Sequence, residues 1–264
     1  MDSLPIWAIL LLTTLLVYLS VETGYRMGSS ALRSNRDEKE SSVSATVGSV
    51  LGLTAFVLAF TFGIVYQRYD DKKDLVREEA TVIWTVFQRS DFLPASDAIA
   101  AKSMLRLYTK LHADLPLAIE RDGGRKANNV SKVLVQTEGI EQRLWAMAVS
   151  NASASPNAEA VLLYAEALNE MAVLEEFRIA SGIETRMHGA IWLTLFALTF
   201  SGMLALGYQT GVSGSHRSKA SPILACSFGI VLTLIAALDR PDAILVSQQP
   251  LFDVLEQMGA DALQ

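Results

Sequence analysis

Four long runs without a charged side chain decide what this chain can fold into. Pro5–Val21 (PIWAILLLTTLLVYLSV), Val43–Tyr66, Ala190–Tyr208 and Ala220–Leu238 contain no Asp, Glu, Lys or Arg. A helix rises about 1.5 Å per residue, so the first run covers most of a hydrocarbon core about 30 Å thick, the second is long enough to span it with tilt, and the third and fourth are each long enough to cross once within the usual range of about 17–25 residues. Backbone groups in lipid must be satisfied within their own segment, and none of the runs alternates with period two. Helices are therefore expected and a β-barrel is excluded. The first run is preceded by Met-Asp-Ser-Leu, acidic where a secretory signal needs Lys or Arg, and no small-x-small pattern precedes Glu22. It reads as a retained span rather than a cleaved leader. The sequence thus predicts an all-α integral membrane protein with transmembrane helices at 5–21, 43–66, 190–208 and 220–238.

Composition hides this pattern. The chain is 51% hydrophobic, close to a soluble protein, because the spans are averaged with a polar segment. Gln67–Gly189 holds 15 of the 22 basic and 18 of the 28 acidic residues and reads as a helical soluble domain between spans two and three. Val76, Ala80, Ile83 and Phe87 recur at helical spacing, so the second span is expected to continue out of the membrane as one long helix. Ser96 or Asp97 is expected to cap the next helix, with Met104, Leu105, Tyr108, Leu111 and Leu115 as its stripe before Pro116. RDGGRKANN (Arg121–Asn129) is an expected exposed connection, followed by a helix with Val130, Val133, Leu134, Thr137, Leu144 and Trp145 inward. Ser155-Pro156 opens another, with Leu162, Ala165, Leu168, Ala172 and Leu174. Residues 239–264 are read as a C-terminal tail.

Several chemistries are excluded. His112, His188 and His216 lack the i, i+4 pairing of a helical metal site and read as surface or interfacial residues. There is no glycine-rich phosphate loop, nucleophile elbow or cysteine pair, so no catalytic residue, metal or cofactor is implied and the protein is not expected to be an enzyme. Cys226, alone in the fourth run, reads as a small packing residue. A net charge of −6 without a basic stripe speaks against nucleic acid. Basic residues near the span ends divide six against seven between the two sides, so charge alone does not orient the protein.

The most informative stretch is GSVLGLTAFVLAFTFGIVYQRYDDKKDLVREEATVIWTVFQRSDFLP, Gly48–Pro94. Gly48 and Gly52 make a G-x-x-x-G step suited to close helix approach in a membrane. Steps of four continue it through Phe56, Phe60 and Ile64, and each step drifts about 40° around the helix. In a symmetric oligomer this face can form stacked apolar rings that gate by dewetting. From periodicity alone, packing against neighbouring helices is the simpler reading. Beyond it, Asp70 reaches Lys73 and Asp74 reaches Arg77, either as a solvated, salt-bridged face that includes Glu78 and Glu79 or as a charged vestibule.

VLAFTFG, RYDDKK, LVREEA and FQRSDFLP, with ETGYRMG after the first span and ALDRP and VSQQPL after the fourth, resemble a bestrophin-like family of bacterial and plant membrane proteins. FVLAF, Phe56–Phe60, is similar to the neck segment of bestrophins, which are pentameric anion channels lined by their second transmembrane helix. The resemblance implies a homo-oligomer in the cell membrane, conducting inorganic ions, with termini and helical domain cytoplasmic. It implies Gly52, Phe56, Phe60 and Ile64 as pore-lining positions and Arg68, Lys72 and Lys73 as charges at the pore mouth. Gly52 departs from the bulky aliphatic residue expected there, which points to a shorter or wider neck. No acidic cluster resembles the bestrophin calcium clasp; Asp242, Asp253, Glu256 and Asp261 are dispersed. The alternative reading is a non-conducting membrane scaffold or regulator acting through its helical domain.

Overall fold

Among the described residues of the computed structural model every regular element is helical, and four of the helices are long and apolar enough to cross a membrane. The structure describes residues 5–34, 40–121, 126–154, 158–184, 187–214, 221–240 and 246–261. The helices are α1 (Ile6–Arg33), α2 (Glu40–Arg89), α3 (Ala95–Arg121), α4 (Lys126–Ala154), α5 (Ala158–Glu184), α6 (Gly189–Val212), α7 (Ser221–Asp239) and α8 (Gln249–Asp261), with a 3-10 turn at Ser90–Phe92. They divide into two units: residues 1–69 with 186–244, and residues 70–185 with 245–264.

The first unit is built from α1, the apolar part of α2, α6 and α7. Its interior has two apolar clusters, Leu58, Val65, Met187, Leu195, Leu232 and Ile235 in one, Val17, Val21, Met203 and Ala225 in the other. Five of its threonines satisfy their buried hydroxyls within the helix, whereas the enclosed Thr14 Oγ1 has no hydrogen-bond partner. Thr13, Thr54, Thr61, Thr199 and Thr233 each donate to the carbonyl four residues back, and Thr54 also reaches Leu198 O across to α6 at 3.2 Å. The closest approach lies between α1 and α6. Gly24 and Gly28 face Gly207 and Gly211, and a Cβ added at Gly24 would stand 2.9 Å from Tyr208 N. Two G-x-x-x-G steps interlock here, the small-residue packing that helices use where lipid supplies no hydrophobic drive. Asp239 joins α7 to the start of α6, accepting from Met187 N at 2.9 Å and from Trp192 Nε1 at 3.2 Å.

The second unit packs the polar end of α2 with α3, α4, α5 and α8 around one core that includes Ile83, Phe87, Leu105, Tyr108, Leu144, Tyr164 and Met171. Val76, Ala80, Ile83 and Phe87 are all buried, as their spacing predicts. Other details differ. The second span and its extension form the single 50-residue helix α2. Ser96 and Asp97 do not cap α3 but lie inside its first turn, where Asp97 accepts from Asn151 Nδ2 at 2.7 Å. The backbone of α3 continues past Pro116, and α4 begins inside the stretch expected to be a connection, leaving 122–125 outside the described residues.

Trp145 is 48% exposed, because α4 buries Thr137, Ile140, Leu144 and Ala148 instead. On α5 the inward face is Val161, Tyr164, Leu168, Met171 and Leu174; Leu168 and Leu174 pack as their spacing predicts, Ala165 is half-buried, and Leu162 and Ala172 turn out to solvent. Residues 239–264 are not a plain tail, since α8 buries Leu251, Val254 and Met258, and Arg106 holds its Met258 carbonyl at 2.7 Å. Cys226 is exposed on α7 rather than packed. Ser155, Pro156, His216 and Asp242 lie outside the described residues.

Candidate functional site

Two places bring chemistry-bearing residues together, one in each unit. In the first unit, α2 packs through Thr54, Leu58, Thr61 and Val65, which fall about 140° to 200° around the helix from Phe56 at 100° per residue. The opposite face is uncovered. Phe56 is 67% and Phe60 63% exposed, their rings stacked with centroids 6.3 Å apart and planes 11° from parallel. Gly48, Gly52 and Gly63 share that face, and a Cβ built at any of them meets nothing within 4 Å. The G-x-x-x-G step at Gly48 and Gly52 therefore makes no close approach among the described residues.

The four-residue ladder winds off this face as its drift requires. Gly52, Phe56 and Phe60 are exposed, Ile64 is half-buried, and Arg68 is half-buried with its Nη1 enclosed and without a hydrogen-bond partner. In the second unit, Lys73 pairs with Asp70 at 3.1 Å and Arg77 with Asp74 at 3.0 Å, while Lys72 is half-buried.

The composition of the open α2 face sets it apart from the outward faces of α1 and α7. Outward on α1 stand Trp7, Leu11, Leu12, Leu15, Leu16 and Leu19, and on α7 Ile223, Ile230 and Leu234. Those are the large apolar side chains expected against acyl chains. The α2 face instead consists of Gly48, Ser49, Gly52, Ala55, Ala59 and Gly63 around Leu53 and the two phenylalanines. Small residues of this kind are enriched where membrane helices meet.

The second place was not legible as a site. Glu79, read as part of a solvated face, is 1% exposed, and His112, read as a surface or interfacial residue, is 3% exposed. Glu79 lies three residues after Val76 and four before Ile83, on the buried stripe of α2. His112 follows Tyr108 by four on α3, and Glu175 follows Met171 by four on α5. A charged residue in phase with an apolar stripe was the available signal.

Arg178 Nη1 donates to Glu79 Oε2, and His112 Nδ1 lies 2.7 Å from Glu79 Oε1, so one carboxylate receives two cationic groups. Arg178 Nη2 donates to Gln248 Oε1 at 2.9 Å, which ties in the residue before α8. On the other side of the imidazole, Glu175 Oε1 is 3.5 Å from His112 Nε2 and accepts from Thr137 Oγ1 at 2.9 Å. Tyr108 Oη lies 2.9 Å from Glu175 Oε2 and 3.3 Å from Glu141 Oε1.

These environments move the titrations apart. Burial alone would lower the His112 pKa, but the Glu175 and Glu79 carboxylates outweigh it and hold the imidazole above its usual value. Burial would raise Glu175, yet His112 and then its hydrogen bond with Glu141 bring it down to about 2. Burial and the adjacent Glu175 push Glu141 up to about 8. Burial and the surrounding carboxylates hold the Tyr108 phenol well above its usual value. Among the described residues, no group of three or more His, Cys, Asp or Glu is placed to hold a metal ion.

A family model described as Bestrophin-like domain matches residues 14–243. No curated protein and no solved structure matches the chain.

Proposed function

The chain belongs to the Bestrophin-like family, and on that premise we propose that it is an oligomeric ion channel, conducting anions through an apolar neck lined by α2. The observation that carries this reading is the open α2 face, where two stacked phenylalanines project from a strip of glycine, alanine and serine. A helix meant only for lipid gains nothing from glycine, which costs about 1 kcal/mol of helix propensity relative to alanine. A helix that must approach copies of itself around an axis gains room from it.

In this arrangement Phe56 and Phe60 form successive apolar rings that exclude water until the neck widens. Gly52 adds no ring, which leaves the neck two residues deep and wide at the next position. Ile64 lies at the edge of the lining. Arg68, with its buried and unpartnered nitrogen, presents positive charge toward the mouth. Lys72 follows one turn later, and Lys73 is largely compensated by Asp70. The same reading sets the helical unit and both termini in the cytoplasm of a cell-membrane protein.

The test is the purified full chain in planar bilayers. The reading expects an anion-selective conductance that Phe56→Ala and Phe60→Ala enlarge or leave constitutively open. No conductance, or a conductance and selectivity indifferent to both substitutions, would return the protein to a scaffold acting through its helical unit.

A further inference from the structure

Charge bookkeeping in the buried cluster of the second unit does not close without an extra proton. Three carboxyl groups, Glu79 from α2, Glu141 from α4 and Glu175 from α5, face two cations, Arg178 from α5 and protonated His112 from α3. The remaining polar groups turned into the cluster, Tyr108, Thr137 and Gln248, are neutral. Glu79 takes both Arg178 and His112, and Glu175 lies across the imidazole from it. Among the described residues Glu141 has no cation within ion-pair distance; its side chain faces the Tyr108 hydroxyl and the Glu175 carboxyl.

That hydroxyl cannot serve two carboxylates. A phenol has one proton, and the shorter contact, 2.9 Å to Glu175 against 3.3 Å to Glu141, assigns it to Glu175. An ionised Glu141 would then set its lone pairs against those of the phenol oxygen. A protonated Glu141 instead donates its O–H to the phenol oxygen, which donates onward to Glu175, and the cluster becomes neutral. Glu141 is half-buried, and setting an unpaired carboxylate against the Glu175 carboxylate there is costly, so the protonated form belongs to the packed structure.

We propose that the Tyr108–Glu141–Glu175 junction is a proton-binding site, occupied at Glu141 when α4 is seated on α3 and α5, so that the seating of α4 loosens as pH rises. When the proton leaves for solvent, no bond is broken except the Glu141 O–H, and the phenol oxygen is left facing a carboxylate. The direction follows from linkage. A group whose pKa is raised on folding contributes stability that is present at low pH and is lost as pH passes its folded value, about 8 for Glu141. The proposal concerns the second unit alone and does not depend on the channel reading.

Hydrogen exchange of the full chain in detergent, corrected for the intrinsic rate, tests it from about pH 5 to about pH 9.5. Amides of α4 around Thr137–Ala148 are expected to open up to about tenfold more per pH unit between about pH 5 and about pH 8, the slope of one proton, and to level off above about pH 8, where the site is empty in both states. Glu141→Gln, whose amide donates to the phenol at any pH, is expected to flatten that slope, and Glu138→Gln, on the exposed face of α4, to keep it. A flat wild-type profile overturns the proposal. So does a slope that survives Glu141→Gln and vanishes in His112→Gln, which would assign the proton to the imidazole. Should Glu141→Gln not fold, infrared difference spectra of the wild-type chain carrying 13C-labelled glutamate decide the matter. Loss of one protonated carboxyl band over the same range supports the site, and its absence refutes it.

Discussion

Replacing Gly24 by alanine adds one methyl group, and the structure gives that group nowhere to go. Its Cβ would stand 2.9 Å from Tyr208 N, with further backbone atoms of α6 at least as near. Carbon contacts are comfortable at about 3.5–4.0 Å, so relief needs more than half an ångström. The obstacle is helix backbone, which has no rotamer to turn, so α1 and α6 must part along an interface where Gly28, Gly207 and Gly211 are equally tight. Overpacking of this kind costs about 1–3 kcal/mol, and a backbone obstacle belongs at the upper end. Against that, alanine is about 1 kcal/mol better than glycine in a helix, leaving a net loss of about 2 kcal/mol.

The same substitution at Gly139 in α4, where a Cβ meets nothing within 4 Å, is expected to gain about 1 kcal/mol instead. The two identical changes thus differ by about 3 kcal/mol, or about a hundredfold in an opening equilibrium. Hydrogen exchange of the full chain in detergent reads each in its own helix, with α1 amides deprotected by Gly24→Ala and α4 amides protected by Gly139→Ala. Equal protection changes in the two helices would refute the interlocked-glycine account of the first unit.

Two further outcomes concern the buried cluster. Arg178→Ala leaves the Glu79 carboxylate with His112 alone at a site 1% exposed, and breaking one partner of a buried pair typically costs about 3–5 kcal/mol. Chemical denaturation should show it, and a loss below about 1 kcal/mol would mean that Glu79 is satisfied without the guanidinium. At the acid end Glu175, held down at about 2, contributes stability that is present above its ordinary value near 4.5 and lost as pH falls toward 2. An acid titration by near-ultraviolet circular dichroism should therefore find Glu175→Gln less pH-dependent than wild type between about pH 5 and about pH 2, and coincident profiles would contradict the assignment.

The membrane helices were the most legible part of the chain because lipid imposes a severe condition. An uncharged run of the right length has few other uses, and apart from their end residues Pro5 and Ala220 the four apolar runs lie in the four apolar helices. Helix phase in the soluble part was less legible, because α4 and α5 carry apolar side chains on more than one face. Trp145 and Leu162 were as hydrophobic as the residues that packed, and only tertiary contact chose among them.

The buried cluster was hidden by expectation: Glu79 sits among Arg77, Glu78 and Asp74 in sequence and resembles its solvated neighbours. Its position three residues after Val76 and four before Ile83 tells it apart, as the same spacing does for His112 and Glu175. The glycines gave a mixed result. Gly48 and Gly52 form a packing motif yet meet nothing among the described residues, whereas Gly24 and Gly28, inside the ETGYRMG signature, and Gly207 and Gly211 form a backbone-to-backbone contact. Composition alone does not distinguish a glycine pair spent within a protomer from one left open for a neighbour.

Whether the open α2 face lines a pore is tested most directly by placing a thiol on it. Cys226 is the sole cysteine, so Cys226→Ser supplies a clean background for Phe56→Cys and Phe60→Cys in planar bilayers. Ile230→Cys on the outward face of α7 serves as the control. A neck built from α2 predicts that a charged, water-soluble thiol reagent alters the current through both phenylalanine positions and leaves the α7 position unaffected. Current that persists unchanged after complete modification at Phe56→Cys and Phe60→Cys would contradict it.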